Sequence, residues 1–183
     1  TLIFLNNNFD SKLARIGKDD DSFTSVIQGK FDDVINGYEN YNFRAALKGI
    51  LEISSFGNKY FQDNKPWQLV KKDRKRCIEV LTLAANIVKN LTILLTPVMP
   101  KFSERVQKQM SIAGLTFHDL DFKLSNHRIN KARIIFTPVE ELIKAPESFA
   151  ADLKVGVVES VDDHPDADKL YVLKVHIGSE KRQ

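Results

Sequence analysis

The sequence predicts a mainly α chain: an antiparallel helical bundle over residues 1–118, then a truncated β segment over 152–183. Three observations carry this expectation. Apolar residues recur at spacings of three and four between Ser22 and Met110, the period of helices that bury one face. Prolines at positions 66, 97 and 100 interrupt that pattern where helices must stop. After Lys154 the period falls to two and β-branched residues dominate, as in half-buried strands. With 183 residues, 43% apolar and 28% charged, the chain is long enough to bury a sizeable core.

The first predicted helix runs from Ser22 to Tyr38, with Phe23, Val26, Ile27, Phe31, Val34, Ile35 and Tyr38 in phase behind the acidic run at 19–21. The second runs from Asn42 to Gln62 and places Phe43, Leu47, Ile50, Leu51, Ser54 and Phe61 on one face; Pro66 forbids its extension. The third starts at Asp73 and carries Cys77, Val80, Leu81, Ala84, Ile87, Val88, Leu91 and Leu95 up to Pro97 and Pro100. A fourth, from Lys101 to Met110, repeats Phe102, Val106 and Met110 every fourth residue. Such stripes must bury one another, which is why a bundle is expected.

Residues 119–151 read as a linker: an irregular stretch to Asn130, then the apolar run Ile134-Ile-Phe136 lying across the bundle. Thr137-Pro-Val-Glu140 has the spacing of a capping box with proline at the first helical position, so a brief helix is predicted through Lys144; Pro146 ends it. Beyond Lys154, Val155, Val157 and Val161, and then the alternating Tyr171, Leu173, Val175 and Ile177, predict two strands around the turn-rich stretch 162–170. Two strands do not stand alone in water, so an incomplete domain is expected. Thr1 brings neither an initiator Met nor a basic n-region, and reads as a cut inside a longer protein.

Composition narrows the function classes. No apolar run approaches the roughly 20 residues that span a bilayer, so no membrane is expected. The one cysteine, Cys77, excludes an intrachain disulfide and fits a reducing compartment, and its helical phase makes it a core thiol. No phosphate-cradling glycine loop is present, since Gly17-Lys18 and Gly29-Lys30 are followed by Asp19 and Phe31. No zinc pattern exists, and the spacing of His164, Asp166 and Asp168 fails the calcium-loop test, which meets Ala167 and Leu173 at its glycine and acid positions. No catalytic residue and no metal site is therefore predicted.

One stretch does suggest chemistry. Trp67, the only tryptophan, follows Asn64, Lys65 and Pro66 and precedes Lys71, Lys72, Arg74, Lys75 and Arg76. A flat aromatic beside clustered cations suits an unpaired base and its phosphates. The same indole could instead plug the end of the bundle, and the same cations could be a solvated helix face.

The stretch Tyr60-Phe-Gln-Asp-Asn-Lys-Pro-Trp67, followed by a basic helix closing in Leu94-Leu-Thr-Pro-Val-Met-Pro100, resembles the anticodon-binding helical domain of methionyl-tRNA synthetases, class I enzymes, over residues 1–145. Residues 155–171, Val-Gly-Val-Val-Glu-Ser-Val-Asp-Asp-His-Pro-Asp-Ala-Asp-Lys-Leu-Tyr, resemble the opening of the OB-type tRNA-binding domain that many of these enzymes append. The resemblance implies that Trp67, supported by Pro66, stacks on an anticodon base, with tRNA as the partner and the cytoplasm as the location. It implies no cofactor in this chain: ATP and Mg would belong to an absent catalytic domain that charges tRNA with methionine. Other synthetases or tRNA-binding cofactors would associate through the C-terminal domain. The competing expectation is a helical protein-interaction module of a synthetase complex.

Overall fold

The computed structural model describes residues 1–136, 154–167, 169–178 and 180–182. The chain divides into two compact units, Thr1–Thr137 and Pro138–Gln183. The first is helical: α1 (Leu2–Asn8), α2 (Asp21–Gln28), α3 (Phe31–Glu39), α4 (Phe43–Asn64), α5 (Pro66–Lys72), α6 (Arg74–Leu95) and α7 (Pro100–Met110), with 3-10 turns at Lys18–Asp20 and Phe117–Asp119.

The helix expected over Ser22–Tyr38 is two helices. Gly29 closes α2, and Asp32 and Asp33 occupy the first turn of α3, where carboxylates favour a fresh N-terminus. Ile27 and Phe31, on either side of the break, are buried in one core. On α4 the buried face also differs from expectation. Ala46, Ile50, Ile53 and Tyr60 are buried, whereas Phe43, Leu47 and Leu51 stay exposed. Close helix approach explains this. A Cβ on Gly37 would lie 2.9 Å from the Ala46 backbone nitrogen, and one on Gly49 2.7 Å from a Val34 methyl, so α3 lies against the small residues of α4 rather than its large ones.

Asp73 breaks the chain between α5 and α6, and its side chain accepts from the Arg76 backbone N–H, capping α6. The short helix α5 is absent from the sequence reading. Helix α6 is the axis of the unit. On one side Val80, Leu83, Ile87 and Leu94 meet Ile27, Phe31, Val34, Ile50 and Ile53. On the other, Cys77, Leu81 and Ala85 meet Leu5, Phe9, Leu13, Val106 and Met110. Its length and apolarity would suit a bilayer span, yet most of it is buried inside the protein.

Residues 119–130, expected as an irregular stretch of linker, pack on the helices, and the run 134–136 meets α7 as expected. Asn86 bonds both backbone groups of Leu124, Asn90 donates to the Asp121 carbonyl, and Lys89 reaches Asp121 and the Asp119 carbonyl. Ile129 is buried, and Phe136 stacks on Phe102. The polar residues of α6 thus satisfy an irregular segment that has no ladder of its own. The helix expected from Thr137 and the linker to Ala151 lie outside the described residues.

In the second unit β1 (Val157–Asp163), β2 (Tyr171–Ile177) and β3 (Glu180–Arg182) form an antiparallel sheet in the order β1-β2-β3. Val158 faces Val175, and the register shifts before Ser160. The third strand, not foreseen, returns after Gly178, whose φ of 61° suits a residue without Cβ.

Candidate nucleic-acid interface

The corner between α4 and α5 positions the predicted site. Lys65 adopts a left-handed φ of 47°, ending one helix and opening the next, and Pro66 fills the first position of α5, where a missing N–H costs nothing. Pro66 is buried, and its carbonyl accepts from the Cys77 thiol at 3.4 Å. Burial also pushes the Cys77 thiol above its usual range, so it stays protonated and donates.

Trp67 therefore projects from a rigid corner. It is 43% exposed, with one flank beside Phe61 at a centroid distance of 6.2 Å. The indole is neither a plug nor a free surface ring: part of it is packed, and part faces solvent. Phe61 also lines a groove of about 310 Å³ between α4 and α6, bordered by Ser54, Asn58 and Gln62 on α4 and by Ala84 and Ile87 on α6. Among the described residues the side-chain amides of Asn58 and Gln62 have no partner, so each offers a donor and an acceptor to a ligand. The sequence reading passed over them, although their four-residue spacing on α4 puts them on one face, one turn ahead of Pro66.

The predicted cations divide into two groups. Lys65, Lys71, Lys72 and Lys75 are exposed. Lys71 and Lys72 end α5, and Lys75 lies in the first turn of α6 beyond the Asp73 break, so the run does not form one helix face. The two arginines are engaged. Arg74 donates to the Asn8 carbonyl at 2.6 Å and lies over the Phe9 ring at 4.7 Å. Arg76 grips Asp20 through two hydrogen bonds of 2.7 and 2.8 Å, with Glu79 at 3.7 Å. The Asp20 bond holds its guanidinium charged well above even the ordinary arginine range. Arg76 is not free for the phosphate role that the sequence suggested, because Asp20 already neutralises it. Asn64 is likewise held: its amide donates to the Tyr60 carbonyl and its oxygen takes a 3.4 Å contact from Arg76. No three His, Cys, Asp or Glu side chains converge on a metal position among the described residues.

The family model of the anticodon binding domain of methionyl tRNA ligase matches residues 12–148, which include this corner and the groove beside it. The chain belongs to that methionyl-tRNA ligase family. A probable cytoplasmic methionine–tRNA ligase of Dictyostelium discoideum is 30% identical over 201 residues, covering 98% of this chain and 27% of the relative. The methionine–tRNA ligase of Pyrococcus horikoshii is 28% identical, over 99% of this chain and 35% of its own length. The chain thus spans about a third of these curated ligases. Mycobacterium tuberculosis methionyl-tRNA synthetase bound by methionyl-adenylate shares the fold at a TM-score of 0.67 with 21% identity, over 72% of this chain and 28% of that one. Methionyl-tRNA ligases are class I aminoacyl-tRNA synthetases.

Proposed function

We propose that this chain recognises the anticodon loop of tRNA for a methionine–tRNA ligase: Trp67 stacks on an unpaired base, Asn58 and Gln62 read base edges in the adjoining groove, and Lys65, Lys71, Lys72 and Lys75 hold the nearby phosphates. The observation that carries this is the half-exposed indole set one ring from a groove lined by two unpartnered amides. Stacking accepts any base, because every base has a π-face. Amides discriminate, because their donor and acceptor match the edge of one base better than another, adenine above all. Lysines act as point charges and make affinity fall with salt. Pro66 and Asn64 support the indole rather than touch RNA, and Arg74 and Arg76 serve the fold.

The reaction we assign to the longer protein is ATP-dependent charging of tRNA with methionine. In this reading ATP and Mg belong to another part of that protein, and this part contributes binding and orientation. The three-stranded sheet is read as the start of an OB-type tRNA-binding domain, through which other synthetases or tRNA-binding cofactors would associate, in the cytoplasm. A specific observation favours the second reading, a protein-interaction module: Phe43, Leu47 and Leu51 form an exposed stripe along α4.

The test compares two RNA stem-loops with one stem, one carrying the methionine anticodon and one a scrambled loop, titrated against the chain while Trp67 emission is followed. Tighter binding of the methionine loop, with Trp67 emission changing on saturation, is expected. Equal affinity for the two loops overturns base reading. Affinity independent of salt favours the protein-interaction module.

A further inference from the structure

We infer that the Asp20–Arg76 pair, whose carboxylate is buried and whose guanidinium is half-buried, is a positioning device that sets the orientation of the α4–α5 corner, and with it Trp67; this rests on the anticodon reading above. The pair is built to a tight fit. Asp20 is 4% exposed, and both its oxygens accept from Arg76 at 2.7 and 2.8 Å. The turn that carries it passes so close that a Cβ on Gly17 would lie 2.7 Å from the Arg76 guanidinium.

Such burial calls for a reason. Desolvating two charges is expensive, and well-packed apolar residues often stabilise a fold as well, so a buried pair is weak evidence for stability alone. What the pair does here is join three elements. Asp20 belongs to the Lys18–Asp20 turn, Arg76 to the first turn of α6, and the second guanidinium nitrogen extends to the Asn64 side chain at 3.4 Å, at the last residue of α4. Trp67 lies three residues beyond Asn64, across the left-handed Lys65 and the buried Pro66. Below the pair, Tyr60 stacks on Phe23 at 4.7 Å, which anchors the same end of α4 to α2. A planar fork that accepts only one in-plane arrangement thereby fixes the exit angle of α4, an angular constraint that an apolar contact would not supply.

The alternative is that Arg76 contacts phosphate, and the two readings differ in sign. A carboxylate beside a phosphate repels it, so Asp20→Asn would tighten RNA binding if electrostatics ruled, and Arg76→Gln would flatten the salt slope by about one unit. Positioning predicts that both changes weaken binding with the slope unaltered.

The experiment uses the 183-residue chain with Asp20→Asn, Arg76→Gln, the double variant and Trp67→Ala, each held below its melting temperature. Lys30→Met, which breaks the pair between Lys30, just before α3, and Glu52 on α4, is the control. Affinity for a stem-loop with the methionine anticodon, its salt slope, and acrylamide quenching of Trp67 in the free protein are read. The expected result is a loss of about fivefold or more in both single variants, the low end of one base stack, with altered quenching before RNA is added and no change in Lys30→Met. The double variant, whose amides still hydrogen-bond, recovers part of both losses. Tighter binding by Asp20→Asn, or unaltered quenching in both single variants, overturns the inference. If Trp67→Ala itself leaves affinity unchanged, the anticodon reading fails instead, and quenching in the free protein still decides whether the pair orients the indole.

Discussion

Trp67→Ala addresses the site directly, and its cost can be worked from the structure. At 43% exposure a little over half of the ring is covered. An aromatic covers about 150–250 Å² when fully buried, at about 25 cal/mol per Å². The covered part is then worth about 2–4 kcal/mol as an upper bound. We expect truncation to cost about 2 kcal/mol, below the roughly 3–5 kcal/mol of a fully buried aromatic, and to lower the melting temperature by about 4–8 °C. Binding to the anticodon stem-loop is expected to lose about 1–3 kcal/mol, one base stack. Trp67→Leu separates the two effects. It keeps apolar bulk against Phe61, so stability falls by less than about 1.5 kcal/mol, yet it has no face for a base, so binding falls as in Ala. Thermal melting and a titration that does not depend on Trp67 emission, such as fluorescence anisotropy of labelled RNA, measure both. Unchanged affinity in a folded Trp67→Leu protein refutes the stacking role.

Replacing Lys71 and Lys72 by Ala removes two exposed charges, so we expect unchanged melting and a salt slope flatter by about one to two units; an unaltered slope makes them bystanders. Lys89→Met leaves Asp121 and the Asp119 carbonyl without their cation, and a stability loss of about 1–3 kcal/mol is expected by denaturant titration. Burial works to raise the Asp121 carboxyl, but hydrogen bonds from the Lys89 ammonium and the Lys123 backbone N–H outweigh it and hold the pKa below the usual carboxylate range. A depressed folded pKa gives stability that is present above the ordinary value of about 3.9 and lost as pH falls through the folded one; acid melts of Lys89→Met are expected to show a shallower loss over that range. In the sheet Val157, Val161 and Tyr171 are more than half exposed, so its amides are expected to exchange far faster than those of α6, and equal protection counts against this.

Much of the helical order was legible in the residues because periodicity and breakers are local. Pro66, Pro100 and the Asp73 cap set ends that tertiary contacts left in place. A strand formed at Tyr171–Ile177 for the same reason, although the expected alternation of burial did not, since Tyr171 and Leu173 are exposed and Val172 is half-buried. The motif around Trp67 also stood out, since a lone indole among cations is a compositional fact.

What the chain could not disclose by itself was which of two competing faces would be buried and which charges would find partners. On α4 the large side chains Phe43, Leu47 and Leu51 look like a core stripe, but Gly37 and Gly49 admit a closer approach on the small-residue face, and the closer packing prevailed. Arg76 looks like one more cation of a basic run until Asp20, distant in sequence, folds against it. The same holds for Asn86, Lys89 and Asn90, polar residues inside an apolar pattern, which only the returning segment 119–124 makes sense of. Local propensity is written in neighbouring residues, whereas burial and charge pairing depend on what the rest of the chain brings to the same place, and that is decided only when the tertiary structure forms.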